Sequence, residues 1–361
     1  MKILVVAGAS GGHIFPALGF LDSLKEQDKN IETLLILPKR NTISSLATIE
    51  YKVGYIAISS IKTGLAFKNL IGIFNFLKAI LQSIFILISF QPDIVVGFGS
   101  LACIPLVTCA WLFRIKTLIH EQNVLPGKAN MFLAPFADRI AISFEESRHY
   151  LKNYQHKTVI TGNPLRKKLK RIEKNKALEF FKFREDKFTI LVMGGSLGSS
   201  SINEGFQKAV SGMLYKNNLQ IIHISGANDY DSIKGGYKKL DINVRIFDFL
   251  DSMEYAYSAS DLIISRSGAL TITEIIFFKL PAILIPYPYA HRHQAANAQI
   301  LAGMKSGVVL EDNELKTDVL KRTIEELILN PERIKIMRSQ YDSIPFRYGN
   351  DLLINAALAL N

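Results

Sequence analysis

The sequence predicts an α/β protein built from two doubly wound parallel sheets. Three observations lead to this fold class: short apolar strands alternate with helical segments, the order of strand, glycine-rich turn and helix occurs twice, and 361 residues exceed what one core usually organises. We therefore expect domains at 1–162 and 163–343. The helical segment 344–361 is a candidate to return and pack on the first domain.

The first domain is predicted from six candidate strands. In chain order they are KILVVA, ETLLIL, DIVVGF, KTLIH, RIAIS and TVITG. Helical segments separate them, which favours parallel strands joined by crossovers. The start MKILVVAG is too short for the core of a signal peptide and is interpreted as the first buried strand of a protein that is not secreted.

The most membrane-like segment is residues 70–90, LIGIFNFLKAILQSIFILISF. Three polar residues interrupt it before the roughly 20 apolar residues that a span requires: Asn75, Lys78 and Gln82. Two interpretations stay open. The segment is a core helix, or its apolar face enters a membrane surface while Lys62, Lys68 and Lys78 attract anionic lipid.

The second domain repeats the pattern after the basic stretch RKKLKRIEKNK, residues 166–176. Its candidate strands are FTILVM, LQIIHISG, NVRIFDF, DLIIS, PAILIP and GVVL. Ligands of such sheets bind at the carboxyl ends of the strands, so two facing domains are expected to place their glycine turns across a common cleft.

The composition limits the chemical class of the binding partner. A net charge of +11 favours nucleic acid, anionic lipid or a phosphorylated substrate. No RNP-type aromatic motif or zinc-finger spacing accompanies the basic residues, and the basic stretch is more typical of a solvated linker than of a nucleic-acid site. Cys103 and Cys109 give neither a disulfide framework nor a metal-ligand spacing and are expected to be packed thiols.

No metal site is predicted. Asp229 and Asp231 form a D-x-D whose flanking residues are typical of a surface connection, and we interpret it as a turn. His291 and His293 have no third ligand at a zinc-like spacing. We therefore expect neither a metal nor a cofactor.

The glycine-rich turn GASGGHIFP, residues 8–16, departs from the dinucleotide fingerprint. Ser10 and His13 occupy the second and third glycine positions of G-x-G-x-x-G. The amides that begin the next helix still favour an anion. Among the neutral side chains of this turn, that of His13 is the most basic, which makes it a candidate general base. The alternative is that His13 only hydrogen-bonds an anion.

Two motifs of the second domain follow buried strands. In GGSLGS, residues 194–199, glycine amides and the hydroxyl of Ser196 suit a phosphate. In RSGALTITE, residues 266–274, Thr271 and Glu274 share a helix face, so the carboxylate is placed to accept two hydrogen bonds from a ribose diol. The alternative for this pair is a capping box.

Two motifs of the first domain also point to ligand contact. HEQN, residues 120–123, follows a strand, and its Asn123 is a candidate ligand contact. GNPLR, residues 162–166, ends the domain, and its Arg166 is a candidate phosphate partner or, alternatively, a solvated arginine at a domain boundary.

Together these motifs resemble the MurG-type undecaprenyldiphospho-muramoylpentapeptide β-N-acetylglucosaminyltransferases of bacterial cell-wall synthesis. G-x-x-G-G-H, HEQN, GNPLR, GGSLG, RSGALTITE and HQAAN occur in the family's order and spacing. The resemblance implies a GT-B architecture of two Rossmann-like domains facing a cleft. It also implies inverting, metal-independent transfer of N-acetylglucosamine from UDP-N-acetylglucosamine to the C4 hydroxyl of lipid I, giving lipid II for peptidoglycan.

The resemblance also implies residue roles. The turn formed by Ser10, Gly11, Gly12 and His13 would meet the acceptor diphosphate, with His13 near the reacting hydroxyl. The donor residues comprise the diphosphate contacts Ser196 and Arg166, the ribose contact Glu274, the uracil contact at the backbone near Leu250, and the sugar-pocket residues Asn123, Ala269, Leu270, Thr271, His293 and Gln294.

The implied partners are UDP-N-acetylglucosamine, lipid I, an anionic membrane surface at the cytoplasmic face, to which binding would be peripheral, and other cell-wall synthesis proteins, but no nucleic acid. Two departures from the family pattern stand out. GSLACIP, residues 99–105, has Ser100 and Leu101 where the family commonly has glycine and tyrosine, and His293 stands where glutamine is frequent.

Two rival functions remain open. UDP-N-acetylglucosamine 2-epimerases share such a fold and donor site, but they act on the sugar nucleotide without an acceptor lipid. A basic nucleic-acid-binding protein would bind nucleic acid with an affinity that falls steeply with salt and does not respond to UDP.

Overall fold

The structure, a computed structural model, describes residues 1–39, 51–58, 66–195, 198–213, 216–290, 292–343 and 349–360, with side chains of 66–71 and 73 left aside. The chain divides into two compact units. Unit 1 comprises Met1–Lys167 and Arg347–Asn361, and unit 2 comprises Lys168–Phe346. Each unit contains one parallel sheet, so the predicted architecture of two Rossmann-like, doubly wound domains is confirmed.

The sheet of unit 1 has seven parallel strands in the order β3-β2-β1-β4-β5-β6-β7. Their bounds are β1 Lys2–Val6, β2 Glu32–Pro38, β3 Val53–Ile56, β4 Ile94–Gly97, β5 Lys116–Glu121, β6 Arg139–Ile142 and β7 Thr158–Ile160. Six of them match the candidate strands. β3, with the sequence VGYI, was not foreseen because it is short and contains a glycine.

Helices cover both faces of this sheet. Their bounds are α1 Gly11–Gln27, α2 Ala66–Phe90, α3 Cys103–Leu112 and α4 Lys128–Leu133. Alternate residues of β1 enter different cores: Ile3 packs with residues of α1, and Leu4 packs with residues of α2, α3 and α4. Burial on both faces explains why these strands are continuously apolar.

α2 is buried in the core along one face and exposes apolar side chains along another. Ala79, Ser83 and Leu87 are buried, whereas one stripe of the helix is exposed: Phe74, Leu77, Leu81, Phe85 and Ile88. The spacing of three and four residues places the stripe on a single helix face. Within the ranges given above, no helix has the length and apolar character needed to cross a bilayer.

Unit 2 has a six-stranded parallel sheet in the order β10-β9-β8-β11-β12-β13. Its strands are β8 Phe188–Met193, β9 Leu219–Ile224, β10 Asn243–Phe247, β11 Leu262–Ser265, β12 Ala282–Leu284 and β13 Gly307–Val309. Its helices are α5 Lys174–Phe180, α6 Ser200–Ser211, α7 Tyr230–Tyr237, α8 Met253–Ala259, α9 Ala269–Phe278, α10 His293–Gly303, α11 Val319–Ile328 and α12 Pro331–Ser339. All six strands match the candidate strands.

The final helix, α13 (Gly349–Leu358), packs on α1 within unit 1. The Asn350 side-chain amide donates to the carbonyl oxygen of Gly19 at 2.9 Å and to Ser23 Oγ at 2.7 Å, and its Oδ1 accepts from the Leu165 amide at 2.9 Å. A Cβ added at Gly349 would lie 2.3 Å from the Asn163 carbonyl oxygen, so the helix begins where only glycine fits.

The interpretation of Asp229 and Asp231 as a turn holds for Asp229 and is wrong for Asp231. Asp229 stands at the N-terminal cap of α7, and Asp231 lies in the first turn of that helix. The Asn203 side-chain amide donates to Asp229 Oδ2 at 2.8 Å. Two glycines near the end of α7 made the segment resemble a loop, although an apolar face buries Ile233 and Tyr237.

The basic stretch 166–176 is largely engaged by the chain itself. Lys167 pairs with Glu26, Lys168 with Asp251 at 3.0 Å, Lys174 with Asp261 at 2.5 Å and Lys176 with Glu173 at 3.2 Å. The Arg171 guanidinium donates to the carbonyl oxygen of Phe277. Most of the cations in this stretch therefore have a partner within the chain.

Each sheet has one point where the strand order reverses. In unit 1 it lies between β1 and β4, and in unit 2 it lies between β8 and β11. Crossovers leave such a pair of strands in opposite directions and open a crevice at their carboxyl ends, where ligands of doubly wound sheets bind. The turns that follow these four strands contain GASGGHIFP, GSLACIP, GGSLGS and RSGALTITE, whereas HEQN spans the end of β5 and GNPLR follows β7.

Candidate functional site

The first glycine turn joins β1 to α1 at the switch point of unit 1. Ser10 is the N-terminal cap residue, and Gly11, Gly12 and His13 form the first turn of the helix. Ser10 does not cap through its side chain. Its Oγ instead lies 2.8 Å from His13 Nδ1, so the serine orients the imidazole.

The ring of His13 lies against the turn that follows β4. A Cβ added at Gly99 would lie 3.1 Å from His13 Cδ2 and 3.2 Å from Nε2, and one added at Gly8 would lie 3.0 Å from Nδ1. These contacts require glycine at both positions. The imidazole is thus held between the two turns of the switch point.

Burial in this setting lowers the pKa of His13 to about 4, from an ordinary value of 6.5. The ring is half-buried rather than inaccessible. It is therefore neutral at pH 7 and retains one nitrogen lone pair. If Ser10 Oγ accepts the proton on Nδ1, that lone pair is on Nε2.

Ser100 adopts the left-handed backbone conformation that glycine favours, with φ +75°. This is the position where the family commonly has its second glycine. The Ala102 amide donates to Ser100 Oγ at 3.2 Å, which partly offsets the conformational cost. The serine keeps the shape of the turn, and its side chain fills the space that a Cβ on Gly8 would occupy.

Glu121 organises the HEQN motif from a buried position, 2% exposed. Its Oε1 accepts from the Asn123 amide at 2.9 Å and from the Asn123 side chain at 3.2 Å. Its Oε2 accepts from the Gly127 amide and from Asn130 Nδ2, both at 2.8 Å. The carboxylate therefore holds predicted site residue Asn123 in place, a role that sequence reasoning missed.

His120 connects HEQN to GNPLR. Its Nε2 lies 3.0 Å from the Gly162 carbonyl oxygen, and its Nδ1 lies 3.1 Å from Gln122 Nε2. Burial lowers the pKa of His120 to about 4, so Nε2–H donates and Nδ1 accepts. The Asn163 side-chain amide donates to the Gln122 carbonyl oxygen at 3.2 Å and adds a second link between the motifs.

Arg166 lies beside α1. Its guanidinium carbon is 4.7 Å from the centre of the Phe15 ring, two residues beyond His13. Its Nε is buried and has no hydrogen-bond partner among the described residues. The structure thus brings HEQN, GNPLR and the first glycine turn together at one edge of unit 1, with a guanidinium group still able to donate.

The glycine turn of unit 2 is backed by the loop after β9. Gly198 has φ +78°, and a Cβ added there would lie 2.2 Å from the Ser225 carbonyl oxygen. The same carbonyl accepts from Asn203 Nδ2 at 2.8 Å. Ser196, the predicted diphosphate contact, lies outside the described residues, so its role stays a prediction.

Helix α9 starts at Ala269, with Gly268 as its N-terminal cap and no side-chain capping bond. The capping-box interpretation of Thr271 and Glu274 is therefore excluded. Glu274 is 6% exposed, and its Oε2 accepts from the hydroxyl of Tyr257 at 2.6 Å. Ala269, Leu270 and Thr271 form the first turn of this helix.

The start of α10 is tied to the start of α9. Ser267 Oγ donates to the Gln294 carbonyl oxygen at 2.8 Å, and Asn297 Nδ2 donates to the Ser267 carbonyl oxygen at 3.1 Å. Gln294 Oε1 accepts from the Tyr287 amide at 2.9 Å. α10 begins at His293. The first turn of α9 therefore lies next to His293 and Gln294. Leu250 lies in the loop after β10.

Arg266 joins three loops of this edge and was not assigned a role from the sequence. One guanidinium nitrogen donates to Ser199 Oγ and Ser201 Oγ, both at 2.8 Å. The other pairs with Asp312 Oδ1 at 2.5 Å and donates to the Ile285 carbonyl oxygen at 3.2 Å. Its position after a buried strand was the available signal, but its partners lie far away in the sequence.

Comparisons with known proteins agree with these features. The glycosyltransferase family 28 N-terminal domain matches residues 3–142, and the C-terminal domain of the same family matches residues 189–349. A protein of Thermodesulfovibrio yellowstonii, named UDP-N-acetylglucosamine–N-acetylmuramyl-(pentapeptide) pyrophosphoryl-undecaprenol N-acetylglucosamine transferase, is 35% identical over 100% of this chain and 99% of its own. A protein of the same name from Halothermothrix orenii is 35% identical over 98% of each chain.

Solved structures share the fold. The crystal structure of Acinetobacter baumannii MurG superposes with a TM-score of 0.77 at 24% identity, covering 99% of this chain and 100% of that one. The UDP-GlcNAc 2-epimerase of Neisseria meningitidis gives a TM-score of 0.69 at 17% identity, with 100% of both chains covered. The fold alone therefore does not separate the two enzyme classes, but the full-length sequence relatives do. This chain belongs to glycosyltransferase family 28 and, within it, to the MurG-type N-acetylglucosaminyltransferases.

Proposed function

We propose that this protein transfers N-acetylglucosamine from UDP-N-acetylglucosamine, with inversion at the anomeric carbon, to the C4 hydroxyl of undecaprenyl-diphospho-N-acetylmuramoyl-pentapeptide. The product is lipid II. The observation that carries the proposal is that each unit has a glycine-rich family motif at the switch point of its sheet, after β1 in unit 1 and after β8 in unit 2. The names of the full-length relatives describe the same reaction.

Unit 2 is the donor-binding unit of this proposal. The amides around Gly194, Gly195 and Gly198 suit the diphosphate, and Glu274 suits the ribose diol. The buried Arg266 supports the loops that surround them. Ser196, Leu250, Ala269, Leu270, Thr271, His293 and Gln294 are the further donor contacts proposed here, together with Asn123 and Arg166 of unit 1.

Unit 1 is the acceptor-binding unit. The turn from Ser10 to His13 combines helix-initiating amides with a neutral imidazole, which suits a diphosphate next to a hydroxyl that must lose its proton. Gly12 is exposed, and a Cβ there would meet no atom within 4 Å. This turn is therefore accessible on the side of its second glycine.

The proposed reaction is a single displacement. The acceptor C4 oxygen forms a bond to the anomeric carbon while the bond from that carbon to the UDP oxygen breaks, and the electron pair leaves with UDP. His13 Nε2 takes the proton of the attacking hydroxyl, and Ser10 Oγ accepts a hydrogen bond from Nδ1–H of the imidazolium that forms. Arg166 and the amides of the glycine turn of unit 2 offset the charge on the leaving diphosphate.

A second role for His13 is a clamp that only hydrogen-bonds the acceptor diphosphate, with an aspartate of unit 1 as the base. The lowered pKa of His13 makes it a weaker base in the free enzyme, whereas a bound diphosphate raises that pKa. The contact with Ser10 favours the base role, because a hydrogen bond on Nδ1 orients the ring and fixes its tautomer.

We further propose that unit 1 associates peripherally with an anionic membrane at the cytoplasmic face. The exposed stripe of α2, residues Phe74 to Ile88, supplies apolar area, and the exposed Lys78 supplies positive charge. Such a surface binds by burial of apolar side chains plus attraction to anionic lipid. Lys62 and the side chain of Lys68, which belong to the same prediction, lie outside the described residues.

One assay tests the reaction. The protein is incubated with labelled UDP-N-acetylglucosamine, with and without lipid I, and the products are separated. We expect label in a lipid product only when lipid I is present. Conversion of the sugar nucleotide to an isomer without lipid I would instead identify an epimerase.

Vesicle flotation tests the membrane surface. We expect anionic vesicles to recruit the protein better than neutral vesicles and high salt to weaken recruitment. Replacing Leu81 and Phe85 by glutamate should abolish it, while glutamates at Leu329 and Ile336, which are similarly exposed in unit 2, should not. Equal recruitment by both vesicle types, or equal loss in both variants, would reject this surface.

A further inference from the structure

The hydroxyl of Tyr257 fixes the carboxylate of Glu274. Tyr257 Oη lies 2.6 Å from Glu274 Oε2 and 3.8 Å from Met193 Sδ. A carboxylate oxygen is a far stronger acceptor than a thioether, so the hydroxyl proton is directed to Glu274. Tyr257 is 1% exposed, and this hydrogen bond is therefore shielded from competing water.

The ring of Tyr257 is itself immobilised. It stacks on Phe278 with ring centres 4.9 Å apart and planes inclined by 20°. Phe278 lies one helical turn after Glu274 on α9. Through the stack and the hydrogen bond, Tyr257 of α8 contacts two successive turns of α9, and the position of its hydroxyl is set by both.

We propose that Tyr257 is a positioning residue that orients Glu274 toward a ribose diol, and that it thereby determines how strongly the donor site prefers a ribonucleotide to its 2′-deoxy counterpart. The proposal rests on the proposed function, because it assumes that Glu274 accepts from the ribose. A carboxylate has about four acceptor positions, and a donor fixed on one of them restricts where the others point. Two adjacent hydroxyls then meet a carboxylate that is already oriented.

The test compares the binding of UDP and 2′-deoxy-UDP by calorimetry on the full chain. We expect the wild-type protein to bind UDP roughly 10- to 100-fold more tightly, because the 2′-hydroxyl donates to a charged group. In Tyr257→Phe this ratio should fall to about threefold or less, while the affinity for 2′-deoxy-UDP stays within about twofold of wild type.

Tyr255→Phe is the matched control, since Tyr255 lies on the same helix and its ring stacks on Phe180 at 4.4 Å, away from Glu274. This variant should keep the wild-type ratio. An unchanged ratio in Tyr257→Phe, or an equal loss of both affinities, overturns the proposal, because the latter marks a purely structural role. Wild-type protein that binds both nucleotides equally also overturns it. Wild-type protein that binds neither nucleotide rejects the proposed function itself.

Discussion

The loops at the carboxyl ends of the two sheets hold their polar groups in different ways. In unit 1 the side chains mostly bond to the backbone: His120 donates to the Gly162 carbonyl oxygen, and Glu121 accepts from the amides of Asn123 and Gly127. In unit 2 two pairs of side chains bond directly to each other, Tyr257 with Glu274 and Arg266 with Asp312. Unit 1 is therefore expected to be sensitive to changes of backbone shape, and unit 2 to the loss of single side-chain partners.

The largest expected effect is on catalysis in unit 1. His13→Ala should lower kcat by roughly 10²- to 10⁴-fold at saturating acceptor and remove the acidic limb of the pH–rate profile. Because burial lowers the pKa of His13 to about 4, the acidic limb of kcat/KM should lie well below pH 6.5 in the wild-type enzyme.

UDP affinity is the control for this variant, because His13 is proposed to contact the acceptor and is not among the proposed nucleotide contacts. It should stay at the wild-type value in His13→Ala. If the variant only raises the KM for the acceptor, while kcat and its pH dependence stay near wild type, His13 is an anion clamp and the base lies elsewhere.

The second effect is on donor binding in unit 2. Glu274→Ala should weaken UDP binding by roughly 1.5–3 kcal/mol for each lost hydrogen bond to the ribose. Calorimetry measures the affinity, and circular dichroism checks the fold. A folded variant with wild-type affinity would show that Glu274 only stabilises the contact between α8 and α9.

The third effect is on acid stability and involves both units. Burial lowers the pKa of His120 to about 4 and that of His223 to about 3. The unfolded chain gains these protons near pH 6.5, whereas the folded chain gains them only near pH 4 and pH 3. The contribution of these two histidines to the free energy of unfolding is therefore complete above pH 6.5 and is lost as the pH falls: roughly 3 kcal/mol for His120 by about pH 4, and roughly 5 kcal/mol for His223 by about pH 3.

Unfolding followed from pH 7.5 to 4.5 measures this loss. His223 bonds to Tyr237 and Asn203, so His223→Gln should be less stable at pH 7.5. Its stability should nevertheless change less with pH, because the titrating group is gone. A slope equal to that of the wild-type protein would contradict the assignment.

The smallest effect concerns the backbone of unit 1. A Cβ at Gly8 would lie 2.6 Å from Ser100 Cβ, so Gly8→Ala should destabilise the protein by about 1–3 kcal/mol. Ser100→Gly relieves the left-handed conformation and should raise stability by up to about 1 kcal/mol. The double variant should be more stable than the sum of the two single changes predicts, and strictly additive changes in Tm would disprove the contact.

Most of the fold could be predicted from the sequence, because strands that are buried on both faces have continuously apolar sequences. KILVV and FTILVM became β1 and β8 within one or two residues. The short strand VGYI and helix α7 were missed, because glycines at Gly54, Gly235 and Gly236 obscure their patterns. Apolar periodicity carries less information where a glycine interrupts it.

The candidate site was predictable where it depends on local motifs and unpredictable where it depends on packing. The positions of His13 and Glu274 at helix starts followed from a strand, a turn and a helix in sequence. The partner of Glu274 did not, because Tyr257 is 17 residues away on another helix. Arg266 and Asp312 likewise meet only through the order of β8, β11 and β12 in the sheet.

The return of α13 to α1 affects how the chain folds as it leaves the ribosome. Leu353 and Ile354 are buried in a core shared with Phe20 of α1, yet residues 168–346 are synthesised between the two parts of this core. At the usual rates of synthesis this delay is on the order of 10–40 seconds. During that time Phe20 lacks the side chains of α13 that pack against it in the folded protein, so the unit that is synthesised first is completed last.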